Sequence, residues 1–251
     1  MARLENKVAV ITGSAQGIGA AYAKGMASEG AKVVVTDVTD TAQVVEEITS
    51  AGGKAIGLKV DVTDDASLAE MVAKTEADLG PIEILINNAA IFASIVLKPF
   101  TQIDNDEWDA VMRVNARGPF QATKAVVPSM QKNGRGKIIN ISSGTFLRGA
   151  PMFCHYVTSK GAVVGQTRAL ARELGKDNIL VNCITIGLTE SEGLAGQSQF
   201  DPARAGNLAA RIIQRDMLPA DLLGTIYYLA SEDSDFVSGQ CFNIDGGAIS
   251  Y

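Results

Sequence analysis

The chain has 251 residues, of which 47% are hydrophobic and 20% charged, a composition typical of a globular protein with one large domain or two small ones. Its 28 acidic side chains outnumber the 22 Lys and Arg, and the formal net charge of −6 argues against nucleic acid or anionic membranes as partners. With one histidine and three widely spaced cysteines, no metal site is expected, and we predict reduced, mostly buried thiols in a cytoplasmic protein. No apolar run approaches the roughly 18 residues that cross a bilayer, and the first residues lack the apolar core of a secretion signal.

Short β-branched segments alternate with longer helical patterns along the chain. In chain order, we predict strand 7–12, helix 17–30, strand 32–37, helix 41–51, strand 54–61, helix 64–79, strand 82–87, helix 106–130, strand 136–141, helix 153–175, strand 179–184, helix 219–230 and strand 241–244. Seven strands that are apolar nearly throughout predict a parallel sheet buried on both faces. Right-handed crossovers then give an α/β fold, a single doubly wound (Rossmann) domain with a seven-stranded parallel sheet over residues 1–251.

One segment interrupts this alternation. Residues 189–217 are polar and rich in Gly, Ser and Gln. They follow the C-terminal end of the sixth strand, where ligands bind in sheets of this kind. We interpret the segment as a small substrate lid, and a surface insertion without a catalytic part is the alternative.

The first strand runs into the glycine-rich loop 12–19, and a helix follows. Gly13 permits a tight turn, Gly17 lets the backbone approach a pyrophosphate, and Gly19 lets the helix pack closely against the strand. The helix N-terminus offers free N–H groups to the phosphates. A purely structural turn is the alternative. The loop residues predicted to bind a cofactor are Gly13, Ser14, Gln16, Gly17, Ile18 and Gly19.

Asp37 ends the second strand, 18 residues beyond Gly19 in the sequence. An acidic side chain there accepts hydrogen bonds from the adenosine ribose hydroxyls and repels a 2′-phosphate. No Lys or Arg adjoins it, so we predict NAD rather than NADP. Asp61 and Val62, after the third strand, are expected to meet the adenine.

Tyr156 and Lys160 are four residues apart in a predicted helix and therefore share a face. A free tyrosine is a poor base at neutral pH, and a neighbouring ammonium lowers its pKa. Tyr156 is thus a candidate for proton exchange with an alcohol or a carbonyl. Ser143, near the end of the fifth strand, is placed to hold the substrate oxygen. Asn115 lies inside a long predicted helix, where its side chain can kink the helix and bind a water.

The combination of these features is more specific than any one of them. It consists of the 12–19 loop, Asn87-Asn88-Ala89-Ala90, Asn115, Ser143, the segment Tyr156 to Lys160, Gly239-Gln240 and Asp245-Gly246-Gly247. In order and spacing the chain resembles the short-chain dehydrogenase/reductase family over essentially its whole length.

The resemblance implies a role for each matching residue. Tyr156 is the acid/base, Lys160 binds the nicotinamide ribose and tunes Tyr156, Ser143 orients the substrate, and Asn115 holds a proton-relay water. Asn88, Ala89 and Ala90 lie along the cofactor, and Gly187, Thr189 and Ser191 are expected near the carboxamide. The family favours Gly at position 90 and Pro at position 186, where this chain has Ala90 and Ile186. Members are commonly homotetramers, so an oligomer is expected.

The expected reaction is hydride transfer between NAD and a secondary alcohol or lactol. Residues 145–176 and 187–193 are similar to those of family members that act on a carbon beside an aromatic ring, which points to a cyclic or aromatic substrate. Phe146, Met152 and Phe200 are predicted cleft walls, His155 is predicted at the cleft mouth and Cys154 in the interior. An NADP-linked ketone or ketoacyl reductase, which Asp37 argues against, and a non-catalytic nucleotide-binding regulatory protein are the alternatives.

Overall fold

Seven strands form one parallel sheet in a computed structural model that describes residues 2–249. They are β1 (Val8–Thr12), β2 (Lys32–Asp37), β3 (Lys54–Lys59), β4 (Ile84–Asn87), β5 (Gly136–Ser143), β6 (Ile179–Ile186) and β7 (Cys241–Ile244). Their order is β3-β2-β1-β4-β5-β6-β7, so the winding direction reverses between β1 and β4. The predicted doubly wound fold is confirmed, and the crevice outside the C-terminal ends of β1 and β4 is where such sheets bind ligands. Met1, Ser250 and Tyr251, at the ends of the predicted domain, lie outside the described residues.

Helices cover both faces of the sheet. They are α1 (Gly17–Ser28), α2 (Ala42–Ser50), α3 (Asp65–Asp78), α4 (Asn105–Met112), α5 (Gly118–Asn133), α6 (Gly144–Arg148), α7 (Cys154–Leu174), α8 (Asp201–Ala210) and α9 (Ala220–Ala230). Successive strand side chains point to opposite faces. Ala9 and Ile11 of β1 therefore pack with α1, α2 and α9, while Val8 and Val10 pack with α3, α5 and α7.

The two outer strands differ from the prediction of burial on both faces. Residues of β3 are exposed or half-buried, and those of β7 are all half-buried. Each lies at an edge of the sheet and has a neighbour on one side. The central strands β1, β4 and β5 are buried along their whole length. The prediction was correct in the middle of the sheet and wrong at its edges.

The single helix predicted over 106–130 is interrupted. Between α4 and α5 the chain forms a five-residue π-helical turn, Arg113–Arg117, with Asn115 at its centre. A π turn of this kind is uncommon and often marks a functional site. The predicted disturbance at Asn115 is present, but it takes the form of a widened turn rather than one continuous helix.

Residues 189–217 leave the sheet after β6 and return before α9. Thr189 and Met217 pair as a short parallel bridge, which closes the segment at both ends. Within it lie two single-turn 3-10 helices and α8, which was not predicted because its sequence is polar and short of large apolar residues. Within residues 2–249, no helix is both long enough and apolar enough to cross a membrane.

Candidate active site

The loop after β1 borders a cavity of about 560 Å³ at the reversal point of the sheet. Gly13 and Gly17 have positive φ angles of 64° and 58°, a conformation that glycine adopts without strain. Most residues predicted to bind a cofactor line this cavity: Gly13, Gln16, Gly17, Ile18, Gly19, Asp37, Asp61, Val62, Asn88, Ala89, Ala90, Tyr156, Lys160 and Ser191.

There is no room for a side chain at the position of Gly19. A Cβ there would clash with the Gly13 carbonyl oxygen and lie 2.6 Å from Asn88 Nδ2. Asn88 Nδ2 in turn donates to the carbonyl oxygens of Thr12, at 3.0 Å, and Gly13, at 2.7 Å. The Thr12 hydroxyl accepts from the backbone N–H groups of Asn88 and Ala89. These bonds join the loops after β1 and β4 into one rigid wall, a role for Thr12 that its position in the sequence does not reveal.

Three of the predicted cofactor residues lie outside the lining of this cavity. Ser14 is fully buried, and its hydroxyl donates to the carbonyl oxygen of Ile11 at 2.8 Å and accepts from the backbone N–H of Thr36. Its side chain therefore fixes the loop from behind. Gly187 and Thr189 border a second cavity, of about 690 Å³, on the other side of Tyr156.

Two aspartates at the far end of the first cavity form matching turns. Asp37 Oδ1 accepts from the backbone N–H and the hydroxyl of Thr39, both at 3.0 Å, and Asp37 Oδ2 accepts from the Ala15 N–H at 3.2 Å. Asp61 Oδ1 accepts from the N–H and hydroxyl of Thr63, both at 2.8 Å. Across residues 2–249, neither aspartate forms an ion pair with Lys, Arg or His. Each carboxylate is held in place by neutral donors rather than by a basic side chain.

Tyr156 stands where the two cavities meet. It lies in the first turn of α7, is 6% exposed, and lines both cavities. Lys160, one turn later on the same face, lines the first cavity. Ser143 ends β5, forms a side-chain hydrogen bond with Tyr156, and lines the second cavity. A molecule in either cavity therefore reaches the Tyr156 ring from its own side.

The charge on Lys160 is buried. Its Nζ donates to the Ile141 carbonyl oxygen at 2.9 Å and lies 5.7 Å from the centre of the Tyr156 ring. Burial lowers the pKa of Lys160 to about 8. The ammonium form therefore still predominates at pH 7, and it places one positive charge beside the phenol.

Burial acts in the opposite sense on Tyr156. It raises the pKa of the Tyr156 hydroxyl above its usual range because the phenolate loses its hydration, and the hydrogen bond with Ser143 lowers it in part. With only protein groups around it, the Tyr156 phenol is protonated at neutral pH. Tyr156 can therefore donate its proton to a carbonyl directly. To accept a proton from an alcohol it must first be a phenolate, and nearby positive charge stabilises that form.

Asn115 fastens the loop after β4 to the π turn. Its Oδ1 accepts from the Ile91 N–H at 2.7 Å, and its Nδ2 donates to the Ile91 carbonyl oxygen at 3.0 Å and to Ser159 Oγ at 3.2 Å. The side chain is fully buried and borders neither cavity. Its direct bonds hold α7 and the loop together close to Tyr156.

Aromatic rings surround the reactive tyrosine. The ring centres of Phe92 and Tyr156 are 4.9 Å apart, those of Phe153 and Tyr156 are 5.4 Å apart, and those of Phe92 and Phe200 are 5.3 Å apart. Of the predicted cleft walls, Met152 and Phe200 line the second cavity. Phe146 does not, and packs instead against the cluster around Val163, Val164 and Cys183.

Phe92 and Phe153 were missed by the sequence analysis. Phe92 lies two residues beyond the Asn-Asn-Ala-Ala run, and Phe153 lies three residues before Tyr156. Proximity to those motifs was the available signal.

Two predictions about the residues next to Tyr156 were wrong. His155 is fully buried rather than at the cleft mouth, and its Nε2 lies 3.1 Å from Glu107 Oε1. The same carboxylate pairs with Lys98 at 2.6 Å, so this side of α7 faces α4. Cys154 is exposed rather than buried. Both errors have one cause, since the direction that each residue faces depends on how α7 packs and not on its sequence.

Comparison with known proteins decides the family. A family model described as enoyl-(acyl carrier protein) reductase matches residues 13–248. Galactitol 2-dehydrogenase of Agrobacterium fabrum is 37% identical, and the alignment covers 98% of each chain. The chain belongs to the short-chain dehydrogenase/reductase family.

Other relatives span several activities of this short-chain dehydrogenase/reductase family. The 3-oxoacyl-[acyl-carrier-protein] reductase FabG of Thermotoga maritima is 36% identical, with 98% of this chain and 99% of the relative covered. A (2S)-[(R)-hydroxy(phenyl)methyl]succinyl-CoA dehydrogenase subunit of Thauera aromatica is 37% identical, with 97% of each covered. A crystal structure from Beutenbergia cavernae, provisionally named an NAD(P)-dependent gluconate 5-dehydrogenase and holding NADP at low occupancy, superposes with a TM-score of 0.88 at 33% identity, with 98% of this chain and 97% of that chain covered. The protein is therefore an oxidoreductase of a family that uses nicotinamide cofactors.

In this short-chain dehydrogenase/reductase, the tight packing of neighbouring atoms around Gly19 allows a direct test of the 12–19 loop as a cofactor-binding loop. We expect Gly19→Ala to weaken NADH binding about tenfold or more, because the added methyl must displace the Gly13 carbonyl and the Asn88 amide. A fluorescence titration of NADH measures this. Gly165→Ala on α7 is the matched control, since no atom lies within 4 Å of the added methyl, and a helical alanine is favoured by about 0.5–1 kcal/mol. Unchanged NADH affinity in Gly19→Ala would mean that the loop yields without harm to the site.

Proposed function

We propose that the protein transfers a hydride between NAD and a secondary alcohol or lactol, with Tyr156 as the acid/base. The observation that carries the proposal is the position of Tyr156 at the junction of the two cavities, with Ser143 on one side and Lys160 on the other. A substrate oxygen in the second cavity meets both hydroxyls. A cofactor in the first cavity meets the same tyrosine from its other side.

The described residues fit a nicotinamide dinucleotide. No side chains cover the backbone at three positions before and at the start of α1, which are Gly13, Gly17 and Gly19. The free N–H groups and the helix dipole there favour binding of a phosphate. Asn88, Ala89 and Ala90 form the adjoining wall, and we assign Gly187, Thr189 and Ser191 to the carboxamide end. When bound there, a nicotinamide would supply the hydride acceptor for alcohol oxidation and the hydride donor for carbonyl reduction.

The protein's own groups manage the proton. In carbonyl reduction Tyr156, which its raised pKa keeps protonated at neutral pH, donates its proton to the substrate oxygen, and Ser143 shares the negative charge that develops there. In alcohol oxidation Tyr156 takes the proton, and the Lys160 ammonium favours the phenolate that this requires. We assign to Asn115 the placement of α7 and of a proton-relay water.

We propose NAD as the cofactor. Asp37 keeps both carboxylate oxygens beside the cavity, bound by neutral donors and not by an arginine or lysine. A ribose diol fits that charge, whereas a 2′-phosphate is repelled by it. The Beutenbergia cavernae relative with bound NADP indicates that the family alone does not decide between the two cofactors.

We propose a cyclic or aromatic substrate. Phe92, Phe153 and Phe200 give the second cavity flat apolar walls around Tyr156, and aromatic rings favour stacked or edge contacts at such distances. The Thauera aromatica relative is named for a hydroxy(phenyl)methyl group, in which the alcohol carbon adjoins a ring. Residues 189–217, which supply Leu194 and Phe200 to this cavity, are assigned as its lid.

We also propose a homo-oligomer, a tetramer by analogy with the family, working in the cytoplasm. Large apolar side chains on the protein surface support association: Phe100 is 73% exposed, Phe120 46%, Ile212 75% and Phe236 105%. Contact with further copies of the chain would bury these apolar side chains away from water.

An NADP-linked ketoacyl reductase is the second candidate, because the Thermotoga maritima FabG relative aligns with 98% of the chain and the raised pKa of Tyr156 leaves the phenol protonated, as the start of a reduction requires. Two assays separate the candidates: the appearance of reduced cofactor with a panel of aliphatic, cyclic and benzylic alcohols plus NAD or NADP, and the loss of reduced cofactor with 3-oxoacyl thioesters plus NADH or NADPH. Turnover of cyclic or benzylic alcohols with NAD supports the proposal. Turnover confined to 3-oxoacyl thioesters with NADPH would establish the second candidate instead.

A further inference from the structure

Arg148 is the one charged side chain in the lining of the second cavity, as far as residues 2–249 are concerned. The other lining residues are apolar, aromatic or neutral, with the walls formed by Phe92, Phe153 and Phe200. An aryl alcohol alone gives this guanidinium nothing to bind. A charged group in an otherwise uncharged substrate cavity points to a charged part of the substrate.

The position of the guanidinium is set by the lid. Arg148 Nη2 donates to Asn207 Oδ1 at 2.5 Å, and Asn207 Nδ2 donates to the Ala203 carbonyl oxygen one turn earlier in α8. Asn207 is 8% exposed, so its amide is held in one orientation. The bond leaves Nε and Nη1 of Arg148 with no hydrogen-bond partner in the described part of the chain. Three of its five N–H groups, one on Nε and two on Nη1, therefore remain for a planar anion.

The acidic residues nearby are already paired. Glu190 accepts from Arg204 Nε at 2.8 Å, and Asp201 accepts from Arg204 Nη1 at 2.6 Å. No carboxylate within residues 2–249 lies within 4.0 Å of Arg148. Arg204 thus pairs with two of the lid's acidic residues, and Arg148, an exposed side chain in the lining of the second cavity, keeps a positive charge that no carboxylate among residues 2–249 pairs with.

The helix α6 also sets the backbone spacing between Ser143 and Arg148. Ser143 caps the N-terminus of α6 through the Thr145 N–H, and Arg148 ends the same helix. Five residues of helix separate their Cα atoms by about 7.5 Å along the axis. Ser143 and Arg148 thus line the second cavity from the two ends of α6, and the spacing of their Cα atoms is comparable with the length of one substituted ring.

We propose that Arg148, oriented by Asn207, is a subsite for a carboxylate on the far side of the substrate ring. The site prefers an alcohol or ketone that carries such a group over the neutral analogue of the same shape. The inference rests on the proposed function for the location of the reacting carbon. The anion contact itself does not require turnover.

Calorimetric binding of 4-acetylbenzoate and 4-methylacetophenone, with and without NADH, tests the contact. We expect the wild type to bind the carboxylate at least about tenfold more tightly than the neutral ketone, the scale of a charge-assisted hydrogen bond. Arg148→Met should abolish this preference, Arg148→Lys should keep part of it, and Asn207→Ala should reduce it. Arg172→Met, which removes the same charge from an exposed position on α7 outside both cavities, should leave it unchanged.

Turnover of the corresponding alcohols then separates this inference from the proposed function. Equal affinity for the two ketones, or a preference that survives Arg148→Met, overturns the carboxylate subsite even if the neutral alcohol is oxidised. A preference that depends on Arg148 with no oxidation of either alcohol supports the subsite and counts against the proposed function. Unfolding temperatures of all variants confirm that each is folded.

Discussion

Replacing Tyr156 by Phe is expected to lower kcat by about 100-fold to 10,000-fold while leaving cofactor affinity near the wild-type value. The substitution removes the phenolic hydroxyl of a side chain that lines both cavities and keeps its ring. Phe92 and Phe153 retain their contacts with that ring, so the walls of the second cavity remain in place. The loss should therefore appear in kcat for alcohol oxidation and ketone reduction alike, with NADH binding as the check on integrity.

Tyr22→Phe is the matched control. The Tyr22 hydroxyl is buried in the core below α1 and has no hydrogen-bond partner among residues 2–249. Removing it leaves no buried donor unpaired, so the unfolding temperature should not fall and kcat should not change. A Tyr156→Phe variant that retains more than a tenth of the wild-type kcat would show that another group, or water, supplies the proton.

Features that depend on local sequence were predicted well. The glycine spacing of the 12–19 loop is a property of one turn, and the Tyr156–Lys160 pair is a property of one helix. Both can be read without knowing what packs around them. The apolar strands likewise predicted the sheet, because burial of β1, β4 and β5 on both faces leaves short segments rich in Val, Ile and Leu in the sequence.

Features that depend on packing between distant segments were not predicted. The contact of Arg148 with Asn207 joins residues 59 apart, and that of His155 with Glu107 joins residues 48 apart. Nothing in either local sequence indicates its partner. The exposure of the edge strand β3 was missed for the same reason, because it follows from the order of the strands in the sheet. The π turn at Asn115 was also missed, because it is stabilised by hydrogen bonds to the distant residues Ile91 and Ser159.

The second large effect is expected in the choice between NAD and NADP. We expect Asp37→Ser to change the ratio of kcat/KM for NAD to kcat/KM for NADP by about 100-fold in favour of NADP. Two effects add: the ribose hydroxyls lose a charged acceptor, and the 2′-phosphate loses a like charge beside it. Serine keeps a short oxygen-bearing side chain beside the N–H groups of Ala15 and Thr39, so the loop is expected to stay folded.

Asp40→Ser separates a local effect at Asp37 from a general effect of charge. Asp40 is exposed three residues further on, where its carboxylate caps α2 through the Ala42 N–H, and it does not line the cofactor cavity. Both variants change the net charge by the same amount, and steady-state kinetics with each cofactor should show a changed ratio in Asp37→Ser alone. If the wild type already uses NADP as efficiently as NAD, the Asp37 carboxylate does not select the cofactor. The turn that holds it with Thr39 would then serve the loop rather than the ribose, and Arg113 or Lys160, the basic residues lining the same cavity, would be the groups to examine for phosphate binding.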